Sequence, residues 1–452
     1  MPPHRETRMR KLYRIIQVAS GNFFEAFDLV VFGTFATAVG AAFFPADNPV
    51  TSLMMALMVF AVAYVMRFAG AVILGPYFDH AGRRKGLLIS LSLMALGTII
   101  IAFTPKYETI GLAAPLLVLF GRLLQGFSIG AETGGVTAYL KEMSGRNNSA
   151  LYVCWNAVCF SAATIMALSL GYLINQTLKP DQILSWGFRI PFILGCGVIP
   201  LIFYLRRSLI ESEEFASSIH HPSIREVWAA LAKHWRVALS GMLMSTAGSS
   251  MFYVIFTYSP IFAKEVLHMS AADSFLSTVG VTAANIVMLP LFALLSDRIG
   301  RKPILIGCGI LSFVTAYPAM YMLANNVTFT NLFLVQLWFA VLYASYTSSS
   351  LVALAERVPT QIRATGYGVA TTLGLAIFGG FTPFVSQYLV NATGLKASPA
   401  FWVMFVSACG ILGTLTFWKA SRAIQMPDAA KTSGIIADAP ARSGGAALQE
   451  SV

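Results

Sequence analysis

The sequence predicts an all-α membrane protein of twelve transmembrane helices in two six-helix bundles. Three observations carry this expectation. Of the 452 residues, 56% are hydrophobic and 11% charged, where soluble domains carry about a quarter charged residues. The mean hydropathy of +0.69 leaves too little polar surface for a soluble chain of this size. The apolar residues gather in runs of about 18 or more, enough to cross ~30 Å of hydrocarbon.

Taken in order, the first span is expected at 15–43. It follows Arg8, Arg10, Lys11 and Arg14, but it is too long for a signal-peptide core and contains Glu25 and Asp28, so it reads as a retained helix. Spans 2 to 6 follow at 52–77, 87–104, 111–139, 150–177 and 188–205. Spans 7 to 12 follow at 237–262, 274–295, 303–323, 331–354, 365–390 and 400–419. The domains are therefore a short N-terminal segment (1–14), a first bundle (15–205), a connector (206–236), a second bundle (237–425) and a tail (426–452). The connector holds Glu211, Glu213, Glu214, His220, His221 and Pro222 and reads as polar chain with short amphipathic helices. The tail is rich in Ala, Ser, Gly and Asp and is expected to be disordered.

The net charge of +11 could mark a nucleic-acid partner, but its placement points to topology. With both termini in the cytoplasm, 24 of the 31 Lys and Arg residues fall on that side, and Lys106, Lys179, Lys264 and Lys396 on the other. That is a strong positive-inside bias, so no nucleic-acid partner is expected. The five cysteines lie in apolar spans without a CxxC pair, and the six histidines lie in loops or tails, so neither a metal nor a cofactor is expected. No P-loop, dinucleotide fingerprint or nucleophile elbow occurs. The sequence thus points away from an enzyme and from an ATP-driven pump. A monomer is expected, because one chain holds both bundles.

The two halves echo each other. Residues 75–85 read GPYFDHAGRRK and residues 293–303 read ALLSDRIGRKP, with Asp79 and Asp297 218 positions apart. Glu142 and Arg146 recur as Glu356 and Arg363 at offsets of 214 and 217. Matching offsets and span counts mean a parallel tandem repeat.

Five charged residues lie well inside spans: Glu25, Asp28, Arg67, Arg122 and Glu132. A charge at mid-bilayer costs about 2.5–3.5 kcal/mol on insertion scales, so such residues persist where they are paired or used. Glu25 is about ten residues into span 1, roughly 15 Å deep at 1.5 Å per residue, and Arg67 and Arg122 reach similar depths. Glu25 and Asp28 share a helix face, as do Arg122, Gln125, Ile129 and Glu132. In one reading Arg67 and Arg122 grip substrate carboxylates with their planar forks, with Gln125 beside them. Glu25, Asp28 and Glu132 then supply proton sites. In the other reading these residues are fixed ion pairs stapling spans 1, 2 and 4. Arg189, at the outer start of span 6, is a weaker candidate for substrate. The second half has no charge deep in a span. Its polar residues include Tyr253, Thr257, Asn285, Gln336, Tyr343, Tyr346, Thr347, Thr371 and Thr372. Tyr253, Asn285 and Tyr346 are the expected hydrogen-bonding partners of a substrate, giving an asymmetric site with charge from the first half.

The two D-x-x-G-R-[RK] loops on a six-plus-six layout resemble the major facilitator superfamily, over roughly residues 12–420. SGNFFEAFD at 20–28, Met66 with Arg67, GRLLQGFS at 121–128 and WGFRIP at 186–191 resemble its metabolite:proton symporter branch, and most of all the citrate and tricarballylate proton symporters. Phe68 stands where relatives usually carry proline, His80 replaces a basic residue, and Ala293 replaces the motif glycine. The resemblance implies a bacterial-type inner-membrane protein that takes up citrate or a related tricarboxylate with protons by alternating access. It also implies a gate at the cytoplasmic face built from Asp79, Arg83, Arg84, Asp297 and Arg301. Other substrates of the branch (a dicarboxylate, an aromatic acid or a zwitterionic osmolyte) remain open, because two acids beside two arginines also suit a zwitterion. A membrane sensor built on the same scaffold is a further alternative.

Overall fold

The computed structural model describes residues 8–81, 83–143, 149–207, 224–233, 235–357 and 363–437, and their regular structure is helical throughout. The first half comprises α1 (Arg8–Thr34), α2 (Pro49–Ala81), α3 (Arg83–Phe103), α4 (Ala113–Met143), α5 (Ser149–Thr177) and α6 (Ile190–Arg207). After Phe35 the chain of α1 resumes as Ala36–Phe43, bent by 68° from Gly21–Thr34. A connector helix, Ile224–Lys233, leads to the second half. There α7 (Trp235–Phe252) continues through Val266 with two π-helical stretches, Tyr253–Tyr258 and Phe262–Val266. It is followed by α8 (Ala271–Ile299), α9 (Arg301–Asn325) and α10 (Phe329–Arg357). α11 (Arg363–Gly374) passes through a π-helical Leu375–Gly379 to Thr382–Thr393, and α12 is Pro399–Ala437. Eleven helices are long and apolar enough to cross a membrane, and the bent first pair makes the twelfth.

Two helices extend beyond the expected spans. α1 begins at Arg8 rather than near residue 15, because arginine and lysine are good helix formers and extend the helix beyond its apolar part. α12 continues to Ala437, through residues expected to be disordered from 426 onward. The rest of the expected tail lies outside the described residues.

The packing repeats with the sequence. In the first half α2 packs on α4, α1 on α5, and α3 on α4 and α6; in the second α8 packs on α10, α7 on α11, and α9 on α10 and α12. The halves meet through α5 against α8 and α2 against α11, two contacts that the repeat interchanges. Large apolar side chains such as Ile73, Val287, Leu291 and Val314 face outward, while Ser277, Thr278, Thr282, Ser349 and Ser350 are buried. This inverted distribution suits lipid outside and interhelical hydrogen bonds inside. α4 approaches α2 so closely that a Cβ on Gly126 or Gly130 would overlap the carbonyls of Ala63 and Arg67. Glycines four apart permit that approach, and it fixes the depth of Arg67. Between α8 and α9 the motif glycine, Gly300, has φ +98° and ψ 155°, a conformation essentially reserved for glycine.

Candidate functional site

Four of the five deep charges form two separate ion pairs. Glu25 Oε1 accepts from Arg67 Nη2 at 3.1 Å, joining α1 to α2. One turn further along α1, Asp28 Oδ2 accepts from Arg122 Nη1 of α4 at 3.0 Å. All four residues are buried. Each guanidinium also lies over an aromatic face, Arg67 over Tyr64 at 4.6 Å and Arg122 over Phe32 at 3.7 Å, contacts that strengthen when desolvated. The second pair closes into a ring. Arg122 Nη1 donates to Gln125 Oε1 at 2.7 Å, Gln125 Nε2 donates to Thr98 Oγ1 at 2.9 Å, and Thr98 donates to Asp28 Oδ1 at 3.1 Å. Arg122 Nε and Nη2 have no hydrogen-bond partner among the described residues.

The two pairs differ in what they face. A cavity of about 180 Å³ lies between the halves, and Glu25 and Arg67 are in its wall. Asn22 and Asn156, hydrogen-bonded to each other across α1 and α5, complete the first-half lining with Phe160. The second half contributes Ser249, Tyr253, Tyr343, Thr347, Thr371 and Thr372, among others, from α7, α10 and α11. The lining extends to Leu351 and Tyr367, near the ends of α10 and α11 that share a side with the first helix's start.

Toward the opposite side the halves are in contact. Tyr64 donates to the Tyr253 hydroxyl at 2.6 Å, Gly380 abuts the Tyr64 ring and Gly33 abuts Thr257. Farther out, Thr37 donates to Glu265 Oε1 at 3.1 Å. The cavity is thus shut on the side away from the termini.

Of the residues singled out from the sequence, Glu25, Arg67, Tyr253, Tyr343, Thr347, Thr371 and Thr372 line this cavity. Arg122 and Gln125, on the arc of α4 that faces α1 and α3, and Asp28 of α1 lie behind it within the first half. Glu132 accepts from Ser90 at 2.9 Å and joins α4 to α3 away from the cavity. Asn285 donates to Ser161 at 3.1 Å across the α5–α8 contact. Tyr346 donates to the Met244 carbonyl at 2.7 Å inside the second bundle. Arg189 donates to the Ala102 carbonyl at 3.0 Å and lies near the rings of Phe43 and Phe188, at the far end of the first bundle. Arg301 binds Asp297 at 2.6 Å and Glu356 at 3.1 Å, tying the start of α9 to the ends of α8 and α10. The side chains of Asp79, Arg83 and Arg84 lie outside the described residues. Asn156, Ser245 and Ser249 were not singled out; their signal is only a small polar residue within an apolar run.

Two repeat-related bundles around a cavity that holds an ion pair and is shut at one end define a membrane transporter of the major facilitator fold. The model of the Sugar (and other) transporter family matches residues 14–221 and 208–422, and the chain belongs to that family. It is 45% identical to the citrate-proton symporter of Klebsiella pneumoniae over 90% of this chain and 92% of that one. It is 30% identical to the alpha-ketoglutarate permease of Escherichia coli strain K12, over 92% and 96% of the two chains. Among solved structures, a crystal structure of the D-xylose-proton symporter superposes with a TM-score of 0.72 at 18% identity, covering 90% of this chain and 97% of that one.

Proposed function

We propose that this chain takes up citrate, or a closely related tricarboxylate, together with protons by alternating access. The observation that carries this reading is the Arg67–Glu25 pair in the wall of the inter-half cavity. The similarity to a protein named a citrate-proton symporter supports the choice of substrate.

A substrate carboxylate entering the cavity competes with Glu25 for the Arg67 fork, which can hold two oxygens. Glu25, once displaced, is left beside apolar walls and takes up a proton. Asp28, bound to Arg122 one turn away, is the second proton site, and Thr98 and Gln125 hold its carboxylate in place. Hydroxyls of Tyr343, Thr347, Thr371 and Thr372 on the facing wall orient the remaining carboxyl and hydroxyl groups of the substrate. Glu132 acts as a staple between α3 and α4. The positive-inside bias supports both termini in the cytoplasm of a bacterial inner membrane, which makes this the inward-facing state. The Asp297–Arg301–Glu356 cluster, with Asp79, Arg83 and Arg84, then serves the cytoplasmic gate when the halves rock. Two bundles at 15–205 and 237–425 in one chain support a monomeric unit.

The test is uptake of labelled citrate into proteoliposomes under an inward proton gradient. Accumulation is expected to collapse with a protonophore and to be competed by unlabelled citrate and tricarballylate. Accumulation that survives the protonophore removes the proton coupling. Competition by betaine and not by tricarballylate moves the substrate to the zwitterions, which the adjacent cation and anion of the pair also suit.

A further inference from the structure

A second concave site lies on the outside of the molecule, remote from the transport cavity. α7 and α12 touch where Gly413 packs against Leu243 and the backbone of Met244. Toward the side of the termini the two helices diverge and leave a groove of about 710 Å³. Its lining has a polarity order along its length. Lys233, Trp235 and Arg236 stand where the connector helix meets α7, Lys419 stands near the end of the apolar part of α12, and Leu239, Leu243 and Leu412 lie deeper. Seven residues separate Arg236 from Leu243 and Lys419 from Leu412, or about 10 Å along each helix at 1.5 Å per residue. Trp235, Leu239 and Leu412 are about half exposed, and the Arg236 guanidinium lies 5.7 Å from the centre of the Trp235 ring. None of the described lining residues is acidic.

We propose that this groove binds an anionic phospholipid of the leaflet on the side of the termini. Its phosphate is held by Lys233, Arg236 and Lys419, and an acyl chain runs down over Leu239, Leu243 and Leu412. Three cations, with no acid among the described lining residues, are complementary to an anionic headgroup, and basic pockets between transmembrane helices are suited to such lipids. The apolar floor is open to the bilayer, which fits a lipid and serves no purpose for a soluble anion. Tryptophan at the rim suits the headgroup level, where one edge is apolar and the other wet. The inference needs only the membrane-spanning fold and is independent of the substrate.

Trp235 is a built-in reporter. The full-length protein is reconstituted in phosphatidylcholine vesicles, into which brominated phosphatidylglycerol or brominated phosphatidylcholine is titrated. The Trp235 signal is the difference between wild type and Trp235→Phe. The expected result is quenching of that signal by brominated phosphatidylglycerol at a lower mole fraction than by brominated phosphatidylcholine. The preference is expected to fall about fivefold for each cation removed among Lys233→Gln, Arg236→Gln and Lys419→Gln, and to vanish in the triple variant. If the triple variant aggregates on gel filtration, the fivefold loss in Arg236→Gln alone carries the test. Equal quenching by the two lipids in the wild type means ordinary boundary lipid and overturns the proposal, as does an undiminished preference in the variants. Reversal by inorganic phosphate, at an ionic strength where chloride has no effect, makes the groove a soluble-anion site and overturns it equally.

Discussion

Replacing Arg67 by glutamine leaves the Glu25 carboxylate buried without the cation that holds it. Breaking a buried pair from one side costs about 3–5 kcal/mol, whereas removing both charges is often near neutral. Arg67→Gln is therefore expected to lower the thermal midpoint of the purified protein markedly. Glu25→Gln/Arg67→Gln is expected to recover most of that loss while uptake stays absent in both. A single variant as stable as wild type would show that the pair does not hold α1 to α2. Glu25 and Arg122 are expected to separate in function. Glu25→Gln keeps Arg67 free for substrate, so citrate exchange across the membrane persists while gradient-driven accumulation is lost. Arg122→Ala abolishes both, although the protein still reaches the membrane. Glu25, Arg67 and Arg122 were legible in the sequence because lipid cannot solvate an isolated charge. Ion pairing among spans 1, 2 and 4 was one of the two readings, but which acid takes which arginine was not legible, since a helical wheel gives the direction of Arg122 without saying that Phe32, Thr98 and Gln125 fill the space around it. Asn156 and Ser249 carry too little polarity to stand out from a run that is apolar on average.

Among the elements, α7 and α11 depart most from regular helix, and their π-helical stretches meet at the closed end of the cavity. π-bulges recur at functional sites. Here one presents Tyr253, and the other ends where Gly379 and Gly380 pack against Tyr253 and Tyr64. A Cβ at Gly380 would collide with the Tyr64 ring, so Gly380→Ala is expected to hold the halves apart on that side. Labelling of a cysteine placed at Thr257 from the outer solution reads this directly, and accessibility should rise over that of the same cysteine with Gly380 intact. In the loop between α8 and α9, Gly300→Ala is expected to cost about 1–3 kcal/mol, the range for a residue forced into a glycine-only conformation. Thermal unfolding measures it. Span positions were legible to within a few residues because hydrocarbon thickness sets a minimum length. The π-helical insertions were not, because they change the hydrogen-bond register without changing the apolar pattern. The glycine of the loop motif was visible as a repeat, but its physical reason is the +98° torsion.

The whole molecule is a pair of bundles that meet at α5–α8 and α2–α11, with α4–α11 and α5–α10 beside them, each pair of contacts exchanged by the repeat. Closing one end of such a pair opens the other. A thiol cross-link between Thr37→Cys and Glu265→Cys, which face each other across the closed end, is therefore expected to stop transport. Cleaving the link should restore it, and a linked protein that still transports would exclude rocking about this interface. The repeat was legible at a distance of some 218 residues, and with it the pseudo-symmetric packing. The asymmetry of charge was legible too, since only the first half carries ions at depth. Its consequence reaches beyond the site. While Glu25 and Arg67 are both ionised, the described residues in the wall of the empty cavity carry no net charge. Reorientation of the unloaded carrier then moves no charge through the electric field of the membrane, and any electrogenic signature of the cycle belongs to the step in which cargo crosses.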